Sequence, residues 1–295
     1  MGKFRRLLAV LQASDDAGML MNKLHRLTHA QLCDVSLIRV VYEPLADLNS
    51  RHVDVTPALK ELALSTAQKE LCEDVDECVI DVPGVTCAAM WHSKIWEGTV
   101  SAASAQGAEL IIKPADTDRR VAHFHTPDDW NLLRHASVPV LLAQPRAWLP
   151  VPTVVAAIDV YDPDHASLNG RILAAAHDIS LQVGGRLHLV SIFPVLSKWL
   201  TEITSVQSYV KLRADVEEEI ASALEQLASQ HGLETYQAHA LEGEPVDAIS
   251  ALTKHLRADV LVLGTKARQG LSGAVMGNTS ETLLQALDCD VITVP

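Results

Sequence analysis

Aromatic residues make up only 4% of this 295-residue chain, and no apolar run nears the roughly 18 residues a bilayer-spanning helix needs. Positive charge is also scarce: 24 Lys and Arg against 37 Asp and Glu leave a net charge of −13. An acidic chain without a basic cluster is a poor partner for nucleic acid or an anionic membrane, so neither is expected. The five cysteines (Cys33, Cys72, Cys78, Cys87, Cys289) are odd in number and form no CxxC pair. Free thiols in a reducing cytoplasm fit them better than a disulfide framework, and a cytoplasmic location is the expectation. No GxGxxG follows the first strand of either half, and no GxxxxGK[ST] occurs, which removes the dinucleotide fingerprint and the P-loop. Ser93, Ser272 and Ser280 stand without a visible base, so a hydrolase triad has no support and no catalytic residue is assigned. His123 and His125, with Cys72, Cys78 and Cys87 upstream, match no compact zinc spacing, and no metal ligand set is expected.

What is present is a pattern repeated twice. The amino-terminal MGKFRRLLAVLQASDD has basic residues before a short apolar run that ends in Ser14, Asp15 and Asp16, and reads as a first strand rather than a signal peptide. A helix follows over 15–31, a strand over 35–42, and a helix over 57–71 with Leu59, Leu62 and Leu64. A strand lies somewhere between Cys78 and Trp91, then a helix over 95–106, a strand over 108–112, a helix over 126–135 and a strand over 138–143. Pro145 to Pro152 reads as a linker, and the alternation restarts at Thr153. Ala108-Glu-Leu-Ile-Ile is answered by Ala258-Asp-Val-Leu-Val, and Trp130-Asn-Leu-Leu by Glu281-Thr-Leu-Leu. Strands alternating with helices in two passes predict two tandem α/β domains with parallel sheets, over residues 1–146 and 152–295.

The stretch from Asp259 to Ser280 concentrates the chemistry. An apolar strand, Val260–Leu263, breaks at Gly264 into a loop with Gly270, Gly273, Gly277, Lys266 and Arg268. Asn278 and Glu281 then give a helix start. Strand, glycine loop and helix N-terminus can turn backbone N–H groups towards an anion such as phosphate; a glycine-rich turn before a well-capped helix is the equal alternative.

On these residues the chain resembles the universal stress protein family. The tandem layout, GTKARQGLSGAVMGNTSE and HTPDDWNLLR are most similar to the family's E type. The resemblance implies five-stranded, Rossmann-like sheets of the adenine nucleotide alpha hydrolase kind. Nucleotide-binding members carry glycine, two residues, glycine, nine residues, glycine and a hydroxyl residue after the fourth strand. Gly264 and Gly277 match the outer glycines, Ala267 replaces the middle one, and Asn278 replaces the hydroxyl residue, with Thr265, Thr279 and Ser280 alongside. By the same comparison Asp159 sits near the ribose and metal, and Ile192 borders the base; capping a helix and simple core packing are their structural alternatives.

The first half departs from the pattern. No glycine lies between Lys113 and Thr126, Gln12 stands where the second half has Asp159, and the helix starts Thr126-Pro127-Asp128-Asp129. Thr126 reads as its N-cap and the two aspartates as charges complementing the helix dipole, which would repel phosphate. Arg119 and Arg120 point the other way but read as solvated surface. The resemblance therefore implies a degenerate first domain without cofactor and a second domain able to take ATP with Mg. The expectation is a non-catalytic stress-response regulator whose glycine loop is ordered by phosphate. A nucleotide-independent scaffold or carrier of small or lipid-like molecules, and a slow ATP hydrolase, remain the alternatives. The family's pairing through final strands implies Val138–Ala143 beside Cys289–Val294 within one chain, and leaves a homodimer open.

Overall fold

Leu7 to Leu11 is an unbroken apolar run, and Leu8, Ala9, Val10 and Leu11 are fully buried, as a parallel strand covered on both faces requires. In a computed structural model it forms β1 (Arg6–Val10), the central strand of the first of two compact units, Met1–Trp148 and Leu149–Val294. The structure describes residues 4–44, 55–115, 127–195, 206–265, 282–284 and 287–295.

The first unit adds β2 (Asp34–Val41), β3 (Val85–Trp91), β4 (Leu110–Pro114) and β5 (Val140–Ala143). They lie in the order β3-β2-β1-β4-β5, every pairing parallel. Its helices are α1 (Ala17–Thr28), α2 (Val55–Asp76), α3 (Ile95–Gln106) and α4 (Pro127–His135). The strand expected between Cys78 and Trp91 begins only at Val85, past the Pro83-Gly84 turn, where Gly84 takes φ 79°. The second unit repeats the plan with β6 (Thr153–Ala157), β7 (Arg186–Phe193), β8 (Gln237–Glu242), β9 (Val260–Gly264) and β10 (Asp290–Val294), in the order β8-β7-β6-β9-β10 and again parallel. Its helices are α5 (Ala166–Val183), α6 (Val206–Gln230) and α7 (Pro245–Leu256). Both units are thus α/β sheets flanked by helices.

An acidic residue pins the central strand of each sheet. Glu109 Oε2 accepts from the Arg5 and Arg6 N–H groups at 2.7 and 3.1 Å. Asp259, 1% exposed, accepts from Leu149 N–H at 3.1 Å and Thr153 N–H at 2.9 Å. In each sheet the chain first winds outward from the central strand and then crosses back, so the order reverses between β1 and β4, and between β6 and β9. The carboxyl ends of strands at such a reversal leave a crevice, the usual ligand position in open α/β sheets.

Candidate functional site

In the second unit that crevice is edged by Ile158 and Asp159 beyond β6, Ile192 near the end of β7, and Gly264 and Thr265 at the end of β9. Asn169, buried in the first turns of α5, fixes the strand exit: its Oδ1 accepts from Asp159 N–H at 3.2 Å and its Nδ2 donates to Asp159 O at 2.6 Å. The exposed Asp159 carboxylate accepts from Tyr161 N–H at 3.1 Å and lies 3.0 Å from His165 Nδ1. Asp159 does not cap the helix, then. Asp162 does that job for the short turn before α5, accepting from Asp164 N–H at 3.0 Å. Asp159, Asp162 and His165 bring one ligand atom each to within 4.8 Å of one another. Two carboxylates are the hard oxygen donors magnesium prefers, whereas the imidazole nitrogen is not. A cavity of about 240 Å³ opens alongside, lined by Val160, Asp162 and Asn169 on one side and Leu227 of α6 on the other.

Ile192 is half-buried, at a sheet end rather than in the closed core. Thr265 is buried, and its N–H donates to Val294 O at 3.0 Å. Gly264 has a packing reason to be glycine: a Cβ there would meet Leu168 Cδ2 at 2.6 Å. Ala267, Gly277, Asn278, Thr279 and Ser280 lie outside the described residues, as do Lys266, Arg268, Arg119, Arg120, Thr126, His123 and His125. So the structure brings Asp159, Ile192, Gly264 and Thr265 to the strand ends of one sheet.

The first unit's crevice is furnished differently. Ala115 N–H donates to Ala143 O as Thr265 N–H does to Val294 O, which sets Pro114 opposite Gly264 in the repeat and Lys113 opposite Leu263. Lys113 and Asp129 are 2% and 0% exposed, and their charged groups meet at 2.9 Å. Asp129 is therefore not a solvent-facing complement to the helix dipole, as its sequence position implied; it is committed to a buried ammonium. Lysine inside the apolar run Leu-Ile-Ile-Lys-Pro was the available sign of this pair. Gln12 is equally committed, its amide bonded to both peptide groups of Val40. Arg39, 6% exposed, donates to Leu11 O and pairs with Asp74 on α2; no spacing rule marks such a reach in advance.

The universal stress protein family model matches residues 153–295, the whole of this second sheet and its helices. Universal stress protein E of Escherichia coli K12 is 29% identical over 210 residues, covering 70% of this chain and 66% of its own length. Residues 153–295 thus carry a universal stress protein domain. A protein of unknown function from Pseudomonas aeruginosa PAO1 superposes with a TM-score of 0.70 at 27% identity, covering 99% of this chain and 92% of that one. A universal stress protein from Archaeoglobus fulgidus, at 15% identity and a TM-score of 0.64 over 99% of this chain and 98% of its own, shares the fold. The aligned part thus spans just under two thirds of the E. coli relative. Among the described residues no helix is long and apolar enough to cross a membrane.

Proposed function

We propose that this chain is a stress-response regulator without a catalytic step of its own, whose second unit takes ATP or a related nucleotide. The observation that supports it is the contrast between crevices of one fold. In the first, Gln12, Arg39, Lys113 and Asp129 are tied up in bonds to the chain itself. The second presents an exposed carboxylate at Asp159, a half-buried apolar residue at Ile192 and the start of a glycine loop at Gly264. Asp159 and Asp162 would supply oxygen ligands to a magnesium ion, which would offset the charge of the phosphates. Binding that orders the loop after Gly264 then shifts which surface the protein offers a partner. Isothermal titration of the full chain with ATP and magnesium tests this. Saturable binding at one site per chain, weakened at least tenfold in Asp159→Ala, is expected. No heat and no shift in melting temperature at millimolar ATP would end the reading.

A further inference from the structure

Equivalent peptide groups in the twin sheets are treated in opposite ways. The last backbone bond of the central strand is Leu11 N–H to Ile38 O at 2.9 Å in the first unit, and Ile158 N–H to Val190 O at 2.8 Å in the second. Along a parallel strand, residues two apart turn their N–H and C=O towards the same neighbour. Val40 and Ile192, two residues beyond Ile38 and Val190, therefore face the place where the central strand has run out.

In the first unit Gln12 fills that place. Its Nε2 donates to Val40 O at 2.8 Å and its Oε1 accepts from Val40 N–H at 2.9 Å, while Arg39 Nε donates to Leu11 O at 3.1 Å. In the second unit the residue at Gln12's position is Asp159. A carboxylate is one methylene shorter and has no donor for a carbonyl. It turns instead to Tyr161 N–H and His165. Among the described residues no hydrogen bond reaches Ile192 N–H, Ile192 O or Ile158 O. Ser191, at Arg39's position, is fully buried with its hydroxyl unpartnered. Buried polar groups are nearly always satisfied, so the unpartnered Ser191 hydroxyl, next to a half-buried strand end with open peptide groups, marks a place for something else to bind.

We infer that Gln12 is a built-in occupant of the first crevice, and that the residue at positions 12 and 159 decides which of the two crevices is open to ligand. The carboxamide also shows the edge the Ile192 peptide accepts: an acceptor beside a donor, facing N–H and C=O respectively. Nucleobases with a ring nitrogen next to an amino group carry that edge, as do primary amides. The choice of adenosine as probe rests on the nucleotide reading above. Adenosine lacks phosphates, so the Lys113–Asp129 pair does not bear on it.

The test is titration of adenosine into the full chain, with backbone amide exchange read at Val40 and Ile192. Gln12→Ala should lose protection at Val40 N–H, gain one adenosine site per chain, and recover that protection when adenosine binds. Gln12→Met, which keeps the volume and lacks the polar edge, replaces it if the alanine variant does not fold. In the second unit Asp159→Gln should weaken adenosine binding at least tenfold more than Asp159→Asn, which removes the charge but is too short to reach the peptide. Folded Gln12 variants in which adenosine leaves Val40 exchange unchanged would overturn the proposal, even with binding at Ile192 intact. Equal binding by the two Asp159 variants would overturn it too. A parent chain blind to adenosine beside a Gln12 variant that binds it would remove the nucleotide reading of the second unit and leave this one standing.

Discussion

At the rung where the fourth strand of each sheet gives way to its loop, the first unit buries an ion pair and the second buries hydrocarbon. Lys113 meets Asp129 at 2.9 Å, whereas the same position in the second unit is Leu263, 3% exposed, followed by Gly264 under Leu168. The hydrogen-bond skeleton around them is shared: Ala115 to Ala143, Thr265 to Val294, and the acid that pins the central strand. The lesson is that a duplicated fold can keep its ladder and rewrite only the side chains at the strand ends. The largest break in the comparison should come from Lys113→Met. It leaves the fully buried Asp129 carboxylate without this ammonium, a loss of about 3–5 kcal/mol. Urea unfolding of the full chain should show that loss, and Lys113→Met with Asp129→Leu together should recover most of it. A single variant that unfolds like the parent would mean the pair carries little, and that the first crevice is closed by Gln12 and Arg39 instead.

A second contrast lies deeper in the sheets. His188 and His239 of the second unit stack with ring centroids 5.2 Å apart and share a hydrogen bond of 2.9 Å between Nδ1 and Nε2. The matching strands of the first unit hold Ser36 and Ala88 there. Burial, with His239 and Arg186 adding to it, pushes His188 down to about 4, so it stays neutral in the fold. The unfolded chain binds its proton near 6.5, hence the stabilisation is complete above that pH and is lost as the pH falls towards about 4. The cost is on the order of 3 kcal/mol across that window. His188→Gln should flatten that part of the stability curve. An unchanged acid limb in the variant would place the acid sensitivity elsewhere.

Much of the architecture could be read from the letters because parallel strands announce themselves as apolar runs. Leu-Ile-Ile and Val-Leu-Val, each after an alanine and an acid, gave away the duplication. Of the candidate site, Gly264 was legible as the break after an apolar run, whereas Asp159 and Ile192 were reached through the resemblance to the family. What was not legible depends on side-chain reach. Gln12 looked like a mere absence of aspartate, yet its amide does the work of a missing strand residue. Asp129 looked like a helix-dipole charge because the lysine inside an apolar run, 16 residues earlier, signals a buried partner without saying which. Gly264 looked like a phosphate-loop glycine, and the packing of Leu168 gives it an independent reason to be there.

The smallest contrast is at the helix that precedes the fourth strand of each sheet. In the first unit it ends on Gly107 with φ 62°, the left-handed conformation that lets the chain turn back, and Gly107 N–H bonds to Ala103 and Ser104 carbonyls. In the second unit Arg257 holds the same position at φ 49°, among the described residues the sole residue other than glycine with positive φ. A Cβ in that conformation costs about 1 kcal/mol, and glycine returns roughly half of the gain by its greater freedom when unfolded. Arg257→Gly should therefore stabilise the chain by about 0.5 kcal/mol, while Gly107→Ala should destabilise it by about 1 kcal/mol. Paired denaturation curves at one protein concentration resolve the opposite signs. Were Arg257→Gly to destabilise instead, the arginine side chain would be contributing more at the exposed helix end than its backbone conformation costs, and the two helix ends would differ by design rather than by tolerance.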